Sequence, residues 1–438
     1  MATVDTILAQ PQAAQTQAGG KKTAHEFWSD YLCSMVRPLL EASGAYTPEQ
    51  QAQQLRFLVD HIAPTLGPLP SEARAKYTMT YVDSPFEPSL NLTGTGKCKV
   101  RYSLEVVKPP GGAESPDPFG EKRAREVLLN LAKASGADTK WLTSVMDLFY
   151  LTPEETEAMR NKIPTFMPSS LVGFDLDGEK AMMKVYILTM RKAIASGAMS
   201  SNQYTVEALR KLEPWGYKIG PGLDVVSDYL ANAKYNVTLI FASLDCLDPF
   251  KITSARVKTY FHTSSNSFAV ARDVMTLGGR LTDETTLKRV EILRSLWPLL
   301  RNEKPGEGPD PSDRDAYDAW EKPERITGTP LSGLQYNVEL NPSKPGLEMK
   351  CYVPLFQHNA TAQESEANVE KILRKLQHQW GSDGKYTEAV KAAYASNRIS
   401  PTFVSFSYSK SKGPYMSSYL PGVLEEGAEL KSTNWKYT

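Results

Sequence analysis

Apolar residues along the chain recur with two alternating periods. From "HEFWSDYLCSMVRPLLEASG" (25–44) through "TPEQQAQQLRFLVDHIAPTLGP" (47–68) they return every three or four positions, the spacing of amphipathic helices. Thr47-Pro48-Glu49-Gln50 is a helix start and Gly67-Pro68 a stop. The period then falls to two in "SPFEPSLNLTG" (84–94) and "CKVRYSLEVV" (98–107), which predicts two strands joined through a Gly-rich turn. A Pro/Gly loop at 109–119 is followed by helical patterns at about 121–135 and 139–148. "SSLVGFDLDGEKAMMKVYILTM" (169–190) reads as strand, Asp-Gly turn, strand, and a helix pair is expected between 203 and 233. "YNVTLIFASLD" and "ARVKTYFHT" form the next strand couple, then helical "FAVARDVMTLGG" and "DETTLKRVEILRSLWPLL". A polar loop spans about 303–330. "SGLQYNVELNP" pairs with "LEMKCYVPLF", helices fill 363–396, and "TFVSFSYSKSKGPYMSSYL" closes the series.

The unit is thus helices followed by two adjacent strands, repeated about five times. Strands joined by short turns are antiparallel, which excludes a doubly wound parallel sheet. Some ten such strands need closure to hide their edges. The expectation is an α+β fold: a ten-stranded antiparallel β-barrel surrounded by α-helices in ααββ repeats. A single domain over 25–425 is expected, with a disordered Gln/Ala-rich tail at 1–24 and a flexible tail at 426–438.

Composition narrows the function classes. Fifty basic residues balance 50 acidic ones, so no global electrostatic footprint for nucleic acid or anionic lipid exists, and a basic site must be local. No run approaches the roughly 20 apolar residues of a spanning helix, and the N-terminus is too polar for a signal peptide. Cys33, Cys98, Cys246 and Cys351 lie far apart, and the five histidines form no ligand-spaced pair, so free thiols in a cytoplasmic protein without a metal are expected. The Asn-X-Thr triplets at Asn91, Asn236 and Asn359 are read as chance.

The second strand of each couple carries a recurring decoration. Arg101 lies in "KVRYSLE", Lys184 and Tyr186 in "MKVYI", Arg256, Lys258 and Tyr260 in "RVKTYF", Lys350 and Tyr352 in "MKCYV", and Tyr415 and Tyr419 in "GPYMSSY". Residues two apart leave the same face of a strand, so Arg256, Lys258 and Tyr260 are predicted to point into the barrel and Val257 and Thr259 away from it. Any single Lys/Tyr pair also fits an ordinary solvent-facing strand, but five successive couples converge on one lumen. Arg and Lys bind phosphate oxygens through charge-assisted hydrogen bonds, and tyrosine rings stabilise a nearby positive carbon by about 0.5–2 kcal/mol each. The pattern therefore suits a ligand with a polyanionic head and an apolar or cationic body. Glu87, at the head of a strand in "SPFEPSLNL", could accept a hydrogen bond from a substrate N–H, or be a solvated turn residue beside Pro88. "FDLDG" (174–178) resembles the aspartyl loop of phosphohydrolases but sits in a predicted hairpin. No P-loop, GxGxxG or DDxxD occurs, so a bound diphosphate would be held by protein cations.

In order, "FLVDHIAPTLGP", "SPFEPSLN", "KVRYSLE", "MKVYI", "RVKTYF", "VMTLGGRLTDETTLK", "MKCYVPL" and "FSYSKSKGPYMSSY" resemble the fungal aromatic (indole) prenyltransferases of the dimethylallyltryptophan synthase family, from about Trp28 to Tyr419. The resemblance implies a prenyltransferase barrel that moves a dimethylallyl group from dimethylallyl diphosphate to an indole-containing acceptor in fungal secondary metabolism, without a metal or other cofactor. It implies Arg101, Lys184, Arg256, Lys258 and Lys350 as diphosphate ligands, with Lys99 or Lys97 as substitutes for Arg101 because the preceding loop is long. It implies Tyr186, Tyr260, Tyr352, Tyr415 and Tyr419 as the cation shield and Glu87 as the partner of the indole N–H. Lys350 stands where many members carry Gln, and "FEPS" replaces the "FEYS" common in tryptophan-using members. The acceptor is accordingly a tryptophan derivative, a cyclic dipeptide or an indole diterpenoid. The expected partners are the diphosphate donor and the aromatic acceptor, with no nucleic acid or membrane, and a homodimer is a candidate assembly. The competing reading is a non-catalytic barrel that carries an isoprenoid or phospholipid.

Overall fold

The computed structural model describes residues 22–70, 77–94, 96–107, 111–165, 167–197, 200–212, 216–250, 255–343, 346–394 and 398–424. The expected tails at 1–24 and 426–438 fall almost wholly outside these residues, and the first helix starts at Ala24, one position before the expected domain boundary.

Ten strands form one closed barrel: β1 (Phe86–Thr93), β2 (Lys97–Glu105), β3 (Ser170–Asp177), β4 (Lys180–Leu188), β5 (Thr238–Asp245), β6 (Val257–Thr263), β7 (Leu334–Leu340), β8 (Glu348–Val353), β9 (Phe403–Ser409) and β10 (Gly413–Tyr419). Each pairs antiparallel with its neighbours in sequence, and β10 returns to β1 with Ser89 opposite Tyr419, so no edge is left open. The expected α+β barrel is what forms. "FDLDG" is the end of β3 and a Gly178 turn (φ 59°) into β4, all in antiparallel pairing, which removes the phosphohydrolase reading and its parallel sheet.

Helices lie between successive strand couples, and several are fixed by reciprocal capping of the expected kind. Thr23 with Glu26, Thr47 with Gln50, Thr152 with Glu155 and Ser200 with Gln203 each satisfy two N-terminal backbone donors. The periodicity missed three short helices, Pro153–Met159, Met190–Ser196 and, inside the supposed 303–330 loop, Arg314–Ala319. Helices of two turns or fewer do not repeat often enough to establish a period.

The core surrounds the barrel. Outward strand residues such as Val100, Val185, Val257, Phe261, Val338 and Cys351 join the helices in one continuous apolar cluster. Residues of the opposite parity face a polar lumen, as the two-residue strand repeat requires. A second, smaller apolar cluster, containing Tyr260, Leu331, Tyr352, Phe356 and Phe403, lies inside the barrel. A β-bulge between Leu239 and Phe241 adds Ile240 and Phe241 to that inner cluster.

The approach to β7 depends on glycine. Gly333 has φ 72°, and a Cβ there would lie 2.0 Å from the Thr263 carbonyl oxygen. We expect Gly333→Ala to destabilise the protein by about 1–3 kcal/mol; a denaturation midpoint equal to that of the wild type would show that the turn relaxes freely.

Candidate active site

The six strands β3 to β8 cross the lumen in one sequence of layers. β4, β6 and β8 enter with a cation, pass a tyrosine two residues later and leave towards the opposite end: Lys184–Tyr186, Lys258–Tyr260 and Lys350–Tyr352. β3, β5 and β7 run the other way and finish in the cation layer with an acid: Asp175, Asp245 and Glu339. Antiparallel register then sets Arg101 opposite Asp175, Lys184 opposite Asp245 and Lys258 opposite Glu339.

The resulting chamber has a volume of about 510 Å³ and is lined by all five predicted cations and all five predicted tyrosines. Arg256, Lys258 and Tyr260 face it, while Val257 and Thr259 are buried on the outer face, as expected. Arg101 is in the chamber, with Lys97 and Lys99 lining it as well; Lys99 pairs with Asp177 at 2.5 Å and both are more than half exposed.

The pattern on the second strands pointed only to cations and tyrosines, and the structure adds acids from the strands beside them. Asp175 pairs with Arg101 at 3.1 Å and with Lys184. Asp245 pairs with Arg256 at 2.7 Å and lies 3.8 Å from Lys258, and Glu339 meets Arg256 at 3.0 Å. These carboxylates were missed because only the second strand of each couple was read for chemistry. The same two-residue period on the first strands ("FDLD", "ASLD", "YNVEL") places them on the lumen face.

Pairing makes the cations unequal. Burial opposes ionisation of Asp175, but Arg101 and Lys184 outweigh it and hold the carboxyl well below the usual range. Burial also works against Arg256, yet Asp245 and Glu339 keep it firmly protonated. Burial and the neighbouring Arg256 push Lys258 down to about 8, with Asp245 opposing. Lys350 has no carboxylate within ion-pair distance among the described residues: its Nζ lies 4.7 Å from the centroid of the Tyr415 ring. Burial, then Arg101 and Lys258, drive its pKa well below that of an ordinary lysine.

Four of the five tyrosines form a continuous belt beyond the cations. Ring centroids are 5.5 Å apart for Tyr186–Tyr260, 6.0 Å for Tyr260–Tyr352 and 5.8 Å for Tyr352–Tyr419. Asn337 donates to the Tyr352 hydroxyl at 2.8 Å, a positioning contact the sequence reading did not identify. The belt closes against Gly173, where even a Cβ would come within 3.4 Å of the Tyr186 ring. Tyr415 stands apart in the cation layer, donating to Glu348 beneath Lys350.

Glu87 lies on β1 with the same parity as the lumen residues Ser89 and Asn91, and is 6% exposed. It is not a solvated turn residue. Its Oε1 has no hydrogen-bond partner, nor has the hydroxyl of nearby Thr402. Burial raises the carboxyl to about 8, and the closeness of Thr402 offsets only part of that shift. A lone carboxyl in an apolar wall is an acceptor waiting for an N–H or O–H donor. Among the described residues no group of three or more His, Cys, Asp or Glu is arranged to hold a metal ion, and no helix is long and apolar enough to cross a membrane. Cys98, Cys246 and Cys351 are buried free thiols.

Comparison with known proteins agrees with this architecture. The sequence profile of the tryptophan dimethylallyltransferase family matches residues 24–389. The chain is 45% identical over 402 residues to the indole prenyltransferase tdiB of Emericella nidulans, covering 91% of this chain and 95% of that one. It is 34% identical over 441 residues to the indole diterpene prenyltransferase terF of Tolypocladium album, covering 96% and 98%. The crystal structure of AnaPT from Neosartorya fischeri superposes with a TM-score of 0.76 at 25% identity, over 92% of this chain and 95% of that one. With a family profile matched over most of its length and a closed barrel shared with a solved relative, the chain belongs to the tryptophan dimethylallyltransferase family and is a prenyl-transferring enzyme.

Proposed function

We propose that this enzyme moves a dimethylallyl group from dimethylallyl diphosphate to the ring of an indole-containing acceptor by electrophilic aromatic substitution, with protein cations in place of a metal. The observation that carries this reading is the arrangement of the lumen: cations, then a belt of tyrosine rings, with the buried carboxyl of Glu87, whose Oε1 has no hydrogen-bond partner, on the lumen-facing parity of β1. The names of the two relatives, an indole and an indole diterpene prenyltransferase, support the acceptor class.

In this mechanism Arg101, Lys184, Arg256, Lys258 and Lys350 hold the diphosphate. Lys350, which has no carboxylate of its own, gains most from the incoming anion. As the allylic C–O bond breaks, the electron pair leaves with the diphosphate, whose growing charge the preorganised cations stabilise. The faces of Tyr186, Tyr260, Tyr352 and Tyr419 stabilise the dimethylallyl cation and keep water from it. Tyr415 braces Lys350 from the cation side. Glu87, as carboxylate, accepts the indole N–H and raises the electron density of the ring, which attacks the allylic carbon; loss of the ring proton then restores aromaticity. A carrier barrel would need the cations but not a buried carboxyl left without a donor, so that alternative is disfavoured.

Glu87→Gln should lower prenyl transfer by about 100-fold or more while leaving diphosphate affinity near wild type. The same change should stabilise the protein. With a folded pKa of about 8, above an unfolded value near ~4.3, native Glu87 keeps a proton that the unfolded chain releases. Wild-type stability therefore falls relative to the variant as pH rises from about 5 towards 8, then levels off; a melting-point difference that does not grow over that window would contradict the burial of the carboxyl.

Lys258 gives a second pH signature. Affinity for dimethylallyl diphosphate should weaken as pH rises through about 8 and Lys258 loses its proton, and Lys258→Arg should flatten that profile, as read by titration calorimetry. Turnover should also be unchanged after exhaustive treatment with EDTA; a strict demand for a divalent ion would mean that the protein cations do not suffice.

A further inference from the structure

Beyond the tyrosine belt the inner apolar cluster is completed by a loop rather than by a strand. Residues 321–333 lead into β7, and two of their side chains enter the inner apolar cluster: Leu331, 7% exposed, and half-buried Ile326 pack with Tyr260, Tyr352, Phe356 and Phe403. Tyr260 and Tyr352 line the chamber, so the loop is continuous with the space next to the reacting centre.

The loop is clasped rather than draped. Fully buried Gln357 accepts from the Ile326 N–H at 2.9 Å and donates to the Ile326 carbonyl at 2.9 Å. Arg325 N–H donates to the Gln357 carbonyl at 3.2 Å, and Gly333 N–H donates to Glu324 Oε1 at 2.7 Å. His262 on β6 meets the Ser332 carbonyl at 2.8 Å. These bonds fix where Ile326 and Leu331 stand.

The charge at this end is as informative as the shape. The cations of the barrel face all lie in the other layer. The acids here include Glu87, Glu105 and the loop's own Glu324; Glu105 is engaged by the backbone N–H groups of Thr78 and Met79, and Glu324 by that of Gly333. The loop's two cations are already engaged: buried Lys322 gives its ammonium to Glu307 at 2.6 Å and to the Asn302 carbonyl at 3.0 Å, and exposed Arg325 gives its guanidinium to the carbonyls of Phe356 and Asn359 at 3.1 and 2.6 Å. An acceptor carboxylate placed here would meet aromatic rings and the Glu87 carboxyl, while the loop's cations are already committed to Glu307 and to backbone carbonyls.

We propose that Ile326 and Leu331 are specificity-determining residues, and that the acceptor they select is an uncharged indole with a bulky apolar body rather than a free amino acid. The inference rests on the acceptor reading above and makes it narrower. Ile326 and Leu331 supply apolar contact to the part of the acceptor remote from the ring, while Glu87 fixes the ring itself.

The test uses the full-length enzyme with dimethylallyl diphosphate and three acceptors: L-tryptophan, 3-methylindole and a neutral tryptophan-containing cyclic dipeptide, with the C5-bearing product read by mass spectrometry. Wild type should favour the cyclic dipeptide over L-tryptophan by about 100-fold in kcat/KM. Ile326→Ala and Leu331→Ala should each change the kcat/KM ratio of cyclic dipeptide to 3-methylindole by about 10-fold, through acceptor KM, with donor KM unmoved even where the lost apolar contact lowers the melting temperature. L-tryptophan used as well as the cyclic dipeptide, or ratios within twofold of wild type in both variants, overturns the proposal while leaving indole prenylation intact. No transfer to any acceptor by wild type overturns the underlying acceptor reading along with it.

Discussion

The whole chamber depends on ion pairing within one layer of the barrel. Arg101, Lys184, Arg256, Lys258 and Lys350 share a cavity of about 510 Å³, and so much like charge away from bulk water would be expelled or neutralised if left alone. Asp175, Asp245 and Glu339 make the concentration tolerable, each arriving on a strand that runs opposite to the strand of its partner. The antiparallel repeat is therefore what permits a cationic site. It delivers acid and base to the same layer from opposite directions, a distribution that a parallel barrel of the same residues would not give.

That balance is incomplete in a useful way. The carboxylates fix the guanidinium and ammonium groups in place without using all of their donors, so the layer remains receptive to an anion while its geometry is set beforehand. Lys350, over the Tyr415 ring, has no carboxylate within ion-pair distance among the described residues, and burial drives its pKa well below that of an ordinary lysine. Glu87 is its counterpart at the other end: a carboxyl without a donor, whose burial keeps its proton on until a hydrogen-bonding partner favours the charged form. The site thus holds two ionisable groups whose charged forms burial disfavours, Lys350 and Glu87, on either side of the tyrosine rings.

The position of the core explains how such a polar interior can be stable. Apolar burial is placed outside the barrel, between the strands and the helices, where Val100, Val185, Val257, Val338 and Cys351 meet the helical shell. The lumen is relieved of most packing duty and can carry small residues such as Ser89, Ser103 and Gly173 beside the large cationic and aromatic ones. What packing it does have, the inner cluster with Leu331 and Phe356, is confined to the end away from the charges and comes partly from connecting segments rather than strands.

The sequence by itself determined the strand couples, the closed antiparallel barrel and the lumen-facing side of β4, β6 and β8, because a period of two fixes a side chain's face wherever the opposite face is apolar. For the same reason the cations and tyrosines were legible as a set, down to Val257 and Thr259 pointing away from them. Only tertiary structure decided their company. Asp175, Asp245 and Glu339 are pairing partners by register across different hairpins, Asn337 reaches Tyr352 from the neighbouring strand, and Tyr415 sits with Lys350 rather than in the aromatic belt. Glu87 shows the limit most clearly: its parity could be read from β1, but whether its carboxyl meets water or a dry aromatic wall depends on Thr402 and the closing of β10 onto β1, contacts made across more than 300 residues of chain. Local pattern fixes which way a side chain points; only the assembled barrel fixes what it finds there.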